Sequence, residues 1–386
     1  MSARSLSRLT LAQFRSYDHA EATFDGRPVV LTGPNGAGKT NLLEAVSLFS
    51  PGRGLRGAPA AEMARQPGTL GWRLRGLFGG TEIVLTGLPE GRRRIEIDGK
   101  AAAQTALGAL PPMLWLTPAM DRLWLDGAEA RRRFLDRAAL SFVPAHASAS
   151  LRYERAMRER NRLLRDGPMD PRWLDALEAQ MAEAGLAVAQ ARVMAAARLK
   201  AAQADAKTLF PKADIAIVGA MEERLSPPLP GADGAAAKTS GQASEIMEDF
   251  RVQLARGRDA DAAAGRTRVG PHRSDIEVSM AEKAMAARLC STGEQKALLL
   301  SLILANARAL ATDGESNGAV PILLLDEVAA HFDEARRAAL FDELCALGVQ
   351  ALLTGTGPAY FDALGDRAQH LAIRETAAGS LIGAAA

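Results

Sequence analysis

The sequence predicts an α/β protein: a P-loop head with an antiparallel β lobe, and a helical domain inserted between the two halves of the head. Three observations predict it. Gly33-Pro34-Asn35-Gly36-Ala37-Gly38-Lys39-Thr40 follows the apolar run Val29-Val30-Leu31. Ile322-Leu323-Leu324-Leu325-Asp326-Glu327, an apolar strand ending in two acids, stands near the other end, with about three quarters of the chain between the two. The stretch from Ala128 to Phe210 is rich in Ala, Leu, Arg and Glu, which are good helix formers.

Taken in order, Leu9–Phe14 and Ala20–Phe24 alternate and read as strands, with Val29–Leu31 a third. Asn41–Leu48 reads as the helix after the loop. Trp72–Leu77, Glu82–Leu85 and Arg94–Ile97 are further strands, and Asp98-Gly99 signals a tight turn. Pro144, Pro168 and Pro171 divide the helical stretch. Trp173–Leu209 can form one long helix, because Leu174, Leu177, Met181, Val188, Ala191, Ala195 and Leu199 fall on one seam. A Pro/Gly/Ala loop near 226–242 is expected to be mobile, and Ser244–Arg256 is a last helix. Strand character returns at Arg266–Val269 and Asp275–Met280. Residues 1–120 and 265–386 are thus expected to form the head, and 121–264 an all-helical arm.

Composition bounds the function less sharply. With 48% hydrophobic residues among 386, the chain can bury a large core, and its formal net charge is only +2. No apolar run is long enough for a transmembrane helix. Met1–Arg8 is basic without an apolar segment, so a secretory signal is not expected, and strand-like sequence by Leu9 argues against a transit peptide. Cys290 and Cys345 make no disulfide framework or metal spacing, which fits a reducing, cytoplasmic setting. Charge is uneven, however. Arg122 to Arg165 holds eleven Arg against five acids.

The loop at 33–40 matches G-x-x-x-x-G-K-[ST] at every fixed position, between a strand and a helix. Its glycines let backbone N–H groups turn toward phosphates, and the helix start adds partial positive charge. Gly33 through Asn41 are therefore the expected ATP contacts. Lys39 would reach the β- and γ-phosphates, and Thr40 would bind Mg²⁺. Asp326, at the end of a buried parallel strand, would hold the same ion, and Glu327 would polarise the attacking water. Such a pair implies hydrolysis as well as binding.

Ser291-Thr292-Gly293-Glu294 precedes the apolar helix Ala297–Ala307. Ser291 with Glu294 three residues on is a capping box, which is the plain reading. The order along the chain adds a sharper one: P-loop, insertion, Ser-x-Gly helix start, then the acidic strand. This order resembles ATP-binding-cassette ATPases, whose signature turn binds the γ-phosphate of ATP held by the other subunit. Further segments resemble one family closely, the RecF family of bacterial DNA-repair ATPases related to SMC proteins. They are Leu9–Tyr17, Arg131–Asp136, Tyr153–Asn161 and Gly270-Pro271-His272-Arg273-Ser274-Asp275. The resemblance runs from about Leu9 to about Thr356.

The resemblance implies an SMC-like, cassette-type head with a helical arm. It implies an ATP-dependent homodimer with two sandwiched nucleotides across an isologous interface, a grip on duplex DNA near single-strand gaps, and recombinase loading with the RecO and RecR mediators. Hydrolysis would be slow and DNA-responsive, and no membrane partner is implied. His331 and Asp333 resemble the D-loop facing the other subunit. Three departures stand out: Glu294 replaces the signature glutamine, Thr354 or Thr356 replaces the switch histidine, and no glutamine stands near Trp115–Pro118. For DNA contact, Arg131 and Arg132 (with Arg133) are candidates, as are Arg152, Arg155, Arg158 and Arg162 at helical spacing. An acid-paired or solvated face is the competing reading for both groups. His272 and Arg273 read as a structural turn, with nucleotide or DNA contact as the alternative, and Arg15 is a candidate phosphate ligand. A transport-subunit ATPase is disfavoured by the long insertion and absent switch histidine. A nucleotide-bound scaffold is disfavoured by the intact Lys39, Asp326 and Glu327.

Overall fold

Alternating burial builds the first strands. The computed structural model describes residues 5–66, 71–167, 170–225, 239–312 and 320–384. In chain order the strands are β1 (Leu6–Phe14), β2 (Tyr17–Thr23), β3 (Val29–Thr32), β4 (Trp72–Phe78), β5 (Thr81–Gly87), β6 (Arg93–Ile97), β7 (Lys100–Ala101), β8 (Met113–Leu116), β9 (Ala213–Val218), β10 (Asp275–Met280), β11 (Met285–Ala286), β12 (Ile322–Leu325), β13 (Gln350–Gly355), β14 (Gln369–Thr376) and β15 (Gly379–Ala384). The α-helices are α1 (Lys39–Ser47), α2 (Ala128–Phe142), α3 (His146–Asp166), α4 (Pro171–Ala204), α5 (Ala220–Leu225), α6 (Thr239–Arg256), α7 (Arg258–Ala264), α8 (Thr292–Thr312) and α9 (Glu334–Leu347). None of them is long and apolar enough to cross a membrane.

The chain divides into two compact units: Met1–Arg122, Ala202–Lys212 and Cys290–Ala386 form one, and Leu123–Ala201 with Ala213–Leu289 the other. The first holds two six-stranded sheets. One is an antiparallel meander in the order β2-β1-β4-β5-β6-β7. Its last hairpin turns at Asp98 and Gly99, both at positive φ, as an Asp-Gly turn requires. The other sheet runs β15-β14-β3-β13-β12-β8, with β14, β3, β13, β12 and β8 parallel and β15 antiparallel at the edge. β12 is apolar throughout and β3 is apolar up to its last residue, Thr32; every residue of both is buried because both faces are covered. One core joins both sheets to α1, including Leu9, Leu11, Val29, Leu31, Leu42, Val46, Leu324 and Leu352.

The second unit is helical for the most part. Every seam residue expected on the long helix is buried, from Leu174 to Leu199. It is not helical throughout, for β11-β10-β9 form a small antiparallel sheet. The unit boundaries therefore differ from the expected 121–264: Ala213–Leu289 stays with the second unit because β10 pairs with β9 over its whole length. Ala202–Lys212, the end of α4 and the segment after it, belongs to the first unit. There Phe210 packs edge-on against Phe332, 5.7 Å between ring centres, and Thr208 Oγ1 donates to Glu343 at 3.0 Å. Arg266–Val269 is not a strand. Two of its N–H groups are taken by side chains, Thr267 donating to Asn161 Oδ1 at 2.9 Å and Arg268 to Asp261 Oδ1 at 3.1 Å, and Arg266 donates to the Asp261 carbonyl at 3.1 Å, so no ladder forms. The Pro/Gly/Ala loop near 226–242 lies mostly outside the described residues, as does Pro168.

Candidate nucleotide and metal site

The loop after β3 is shaped by its glycines and held from behind. A Cβ at Gly33 would meet the Ile373 carbonyl oxygen at 2.2 Å. Gly38 has φ +112, and a Cβ there would lie 2.6 Å from Ser380 Oγ and 2.8 Å from Ser16 Oγ. Only glycine fits such a position. Tyr17 Oη donates to the Gly38 carbonyl at 3.0 Å, and burial raises the Tyr17 phenol well above its ordinary value, keeping it a neutral donor. Asn41 Nδ2 donates to Ser16 Oγ at 2.8 Å, and Ser380 Oγ lies 2.7 Å from the same atom. The tight β1–β2 turn and the edge strand β15 thus brace the loop. Pro34, Asn35 and Gly36 at its tip are exposed, while Ala37, Gly38 and Lys39 are buried.

Lys39 donates to the Gly33 and Pro34 carbonyls, at 2.7 and 2.9 Å. Burial lowers its pKa, partly opposed by the charges of Glu327 and Asp326. An ammonium held inside a loop of N–H groups and carbonyls is short of negative charge, and phosphate oxygens supply it. Thr40 Oγ1 lies 3.0 and 2.9 Å from the two Asp326 carboxylate oxygens. Neighbouring corners of a Mg²⁺ octahedron are about 2.9 Å apart, since its bonds run about 2.0–2.1 Å. The hydroxyl and carboxylate therefore fit a shared Mg²⁺. These residues, 286 apart in sequence, meet because only β13 separates β3 from β12.

Thr354 closes the centre. Its hydroxyl donates to Asp326 Oδ1 at 2.7 Å and accepts the Glu327 N–H at 2.8 Å. Of the two threonines expected near a switch position, Thr354 is the one placed between the strand ends. Glu327 has φ +54, a left-handed conformation that costs an ordinary residue about 1–2 kcal/mol. Nothing in the local sequence announces it. Lys296 and Asp121 form an ion pair whose lysine feels the charges of this centre, and sequence reasoning missed both. Lys296 is buried in α8 and pairs with Asp121 at 3.3 Å; burial lowers its pKa, and Asp121, Glu327 and Asp326 oppose the shift. A lysine opening the run Ala297–Ile303 is the one signal the sequence offers. Asp121 follows β8, just past the Trp115–Pro118 stretch that lacks a glutamine.

At the start of α8 the capping box is formed as the sequence predicts. Glu294 Oε2 accepts both the Ser291 N–H and O–H at 2.9 Å. Ser291, Thr292 and Gly293 are exposed. In the D-loop segment His331 closes a short 3-10 turn, and Asp333 caps α9, accepting the Arg336 N–H at 2.8 Å.

The basic candidates separate into two kinds. Arg15 does not point at the phosphate loop; its guanidinium binds both oxygens of the buried Glu44, at 2.9 and 2.7 Å, and Arg56 joins the same carboxylate at 2.8 Å. Arg131 is held by both oxygens of Asp275, at 2.8 and 2.7 Å, and Arg132 donates to the Ser274 carbonyl at 2.7 Å. These two serve internal contacts of the second unit. Arg133 pairs with Glu129 on the surface. Arg152, Arg155, Arg158 and Arg162 are all exposed; Arg158 pairs with Glu154 at 3.6 Å and Arg162 with Glu159 at 2.5 Å. His272 is structural: its ring nitrogens lie 2.7 Å from Tyr153 Oη and 3.0 Å from the Thr267 carbonyl. A carbonyl only accepts, so Nε2 carries the proton and Nδ1 accepts from the tyrosine. Arg273 is exposed beside it.

Comparison with known proteins bears on the fold and the family. A family model described as an AAA domain matches residues 8–58. The DNA replication and repair protein RecF of Mesorhizobium japonicum is 49% identical over 95% of this chain and 96% of its own length. The protein of the same name from Brucella suis biovar 1 is 48% identical over 98% of this chain and 96% of its own. Among solved structures, the recombination mediator RecF with ATP, from the RecFOR pathway, superposes with a TM-score of 0.80 at 23% identity, covering 100% of this chain and 98% of that one. An Smc head domain with an extended coiled coil from Pyrococcus furiosus gives 0.55 at 14% identity, covering 99% and 96%. At those identities the structures speak for the fold, an SMC-like P-loop ATPase head. The near-full-length identity to the curated relatives speaks for more: the chain belongs to the RecF family of DNA replication and repair proteins.

Proposed function

We propose that this chain is an ATP-gated DNA clamp of recombinational repair. It binds ATP and Mg²⁺ at the P-loop, dimerises across two sandwiched nucleotides, and holds duplex DNA beside single-strand gaps. With RecR and RecO it helps load recombinase, and slow, DNA-responsive hydrolysis releases it. The observation that carries this reading is the pairing of a braced P-loop, with Thr40 and Asp326 in contact, and an exposed Ser291 turn on the same chain.

On ATP binding, Lys39 would exchange the Gly33 and Pro34 carbonyls for phosphate oxygens. Thr40 and Asp326 would hold Mg²⁺, whose charge when bound offsets that of the β- and γ-phosphates. Glu327 would orient the attacking water and take its proton. Ser291 would serve a second copy's nucleotide once phosphate replaces the Glu294 carboxylate as its hydrogen-bond partner, and the turn of His331 and Asp333 would face that copy. Light scattering with and without ATP tests the dimer. The mass should double with ATP; a chain that stays monomeric at saturating ATP and DNA would sink the sandwich.

For DNA, the exposed side of α3 is the favoured surface. At 100° per residue, Arg155, Arg158 and Arg162 share an arc of about 60°, with Arg152 about 60° beyond it. Replacing Arg155 and Arg162 together by Ala should weaken duplex binding alike for all sequences. It should also reduce the slope of log K against log salt by roughly 1–2, about 0.9 for each phosphate that the variant leaves unneutralised. An unchanged slope in a salt titration would remove this face from the interface.

A further inference from the structure

The hydroxyl of Thr354 is a point of control that the proposed roles of Asp326 and Glu327 leave unused. β13 lies between the loop strand β3 and the acidic strand β12, with Leu353 beside Leu325 and Thr354 beside Leu31. Thr354 is therefore the residue next beyond the last paired position of β12. It is 1% exposed, so water does not complete its bonding.

Its two hydrogen bonds have a forced polarity. A backbone N–H only donates, so the hydroxyl uses a lone pair for Glu327 at 2.8 Å. Its single proton is then committed to Asp326 Oδ1 at 2.7 Å. Asp326 receives Thr40 as well, at 2.9 and 3.0 Å. One side chain thus ties the carboxylate that faces Thr40 to the backbone of the next residue. That next residue is the one at φ +54, a conformation that L residues adopt rarely and hold only when neighbours enforce it. Removing the hydroxyl would leave the Glu327 N–H without its acceptor and let the backbone relax toward ordinary φ. The Glu327 side chain would then point elsewhere.

We infer that Thr354 is a positioning residue for hydrolysis: it fixes the direction of the Glu327 carboxylate and its registration with Asp326, while contributing little to holding ATP. The inference rests on the catalytic reading of Asp326 and Glu327 given above. A displacement of about 1 Å at a reacting group can cost on the order of 100-fold in rate, so a positioning role has a large signature.

Thr354→Val keeps the branched shape that suits a strand and deletes the hydroxyl; Thr354→Ser keeps the hydroxyl. Steady-state phosphate release and equilibrium binding of a fluorescent ATP analogue are measured on the full-length chain, with thermal melting to establish folding. The expected result is a kcat reduced roughly 10- to 100-fold in Thr354→Val, ATP affinity within about twofold of wild type, and a Thr354→Ser kcat within about threefold of wild type. Thr354→Ala carries the same test should the Val chain not fold. A Val or Ala chain with kcat within about threefold of wild type overturns the inference. So does equal loss of kcat and affinity that Ser fails to rescue, which marks a merely structural role. A wild-type chain that binds ATP without turnover removes the catalytic reading itself and this inference with it.

Discussion

Glu327→Gln should bind ATP as the wild type does and lose roughly 10²- to 10⁴-fold in turnover, the range that a general base contributes. Glutamine keeps the length of the side chain, and the backbone N–H that Thr354 accepts is untouched, so the left-handed turn at φ +54 should persist. What disappears is the ability to accept a proton from water. Because hydrolysis is the proposed release step, the variant should accumulate as an ATP-bound dimer on DNA. The readouts are phosphate release for the chemical step, and the lifetime of the dimer on a gapped duplex after dilution into ATP-free buffer. Release faster than wild type would contradict both the base assignment and the clamp cycle. Intact turnover with slow release would separate the two, leaving the dimer but moving the base elsewhere.

The features that read correctly from sequence are those whose signal is local. The P-loop is eight contiguous residues, β12 is an unbroken apolar run ending in acids, and the capping box spans four positions. The seam of α4 is periodic over seven turns, so it survives without any neighbour being known. The features that did not read are made by pairing across distance. Thr354 is one threonine among many until sheet order sets β13 between β3 and β12. Arg131 looks like a surface cation, because Asp275, its partner, is 144 residues away. Arg15 and Glu44 meet only because the β1–β2 turn lies against α1. Thr267 and Val269 gave Arg266–Val269 the look of a strand, yet Asn161 and Asp261 satisfy its backbone from the side. The domain boundary failed for a related reason. Phe210 is one aromatic at the end of a helical stretch, and its partner Phe332 stands beyond the acidic strand.

Replacing Arg160 by Met should destabilise the second unit by about 3 kcal/mol, at the lower end of the roughly 3–5 kcal/mol lost when a buried ion pair keeps only one partner. Arg160 lies in the segment Tyr153–Asn161 that resembles the family, among arginines that invite a DNA-binding reading. Its side chain is 0% exposed. Nε donates to Glu178 at 3.0 Å, Nη1 to Asp261 at 2.8 Å and to Thr267 Oγ1 at 2.9 Å, and Nη2 to the Leu254 carbonyl at 2.8 Å. It therefore joins α3 to α4, to the end of α6, to α7 and to the connector at Thr267. Met matches the unbranched stem and supplies none of these donors. Glu178 would keep Arg258 at 2.5 Å, and Asp261 would keep the Arg268 N–H at 3.1 Å and the looser Arg268 side chain at 3.5 Å; the retained partners are why the lower figure applies. At about 2–4 °C per kcal/mol for a unit of this size, the melting step should fall by roughly 10 °C. ATP affinity should stay near wild type, because the P-loop and Asp326 belong to the other unit. Arg155→Ala, on the exposed side of the same helix, should show the reverse pattern, with weaker DNA binding and unchanged melting. If Arg160→Met melted within a degree or two of wild type, the buried network would not be holding the unit together. Loss of DNA affinity in that stable chain would place Arg160 with the surface arginines instead.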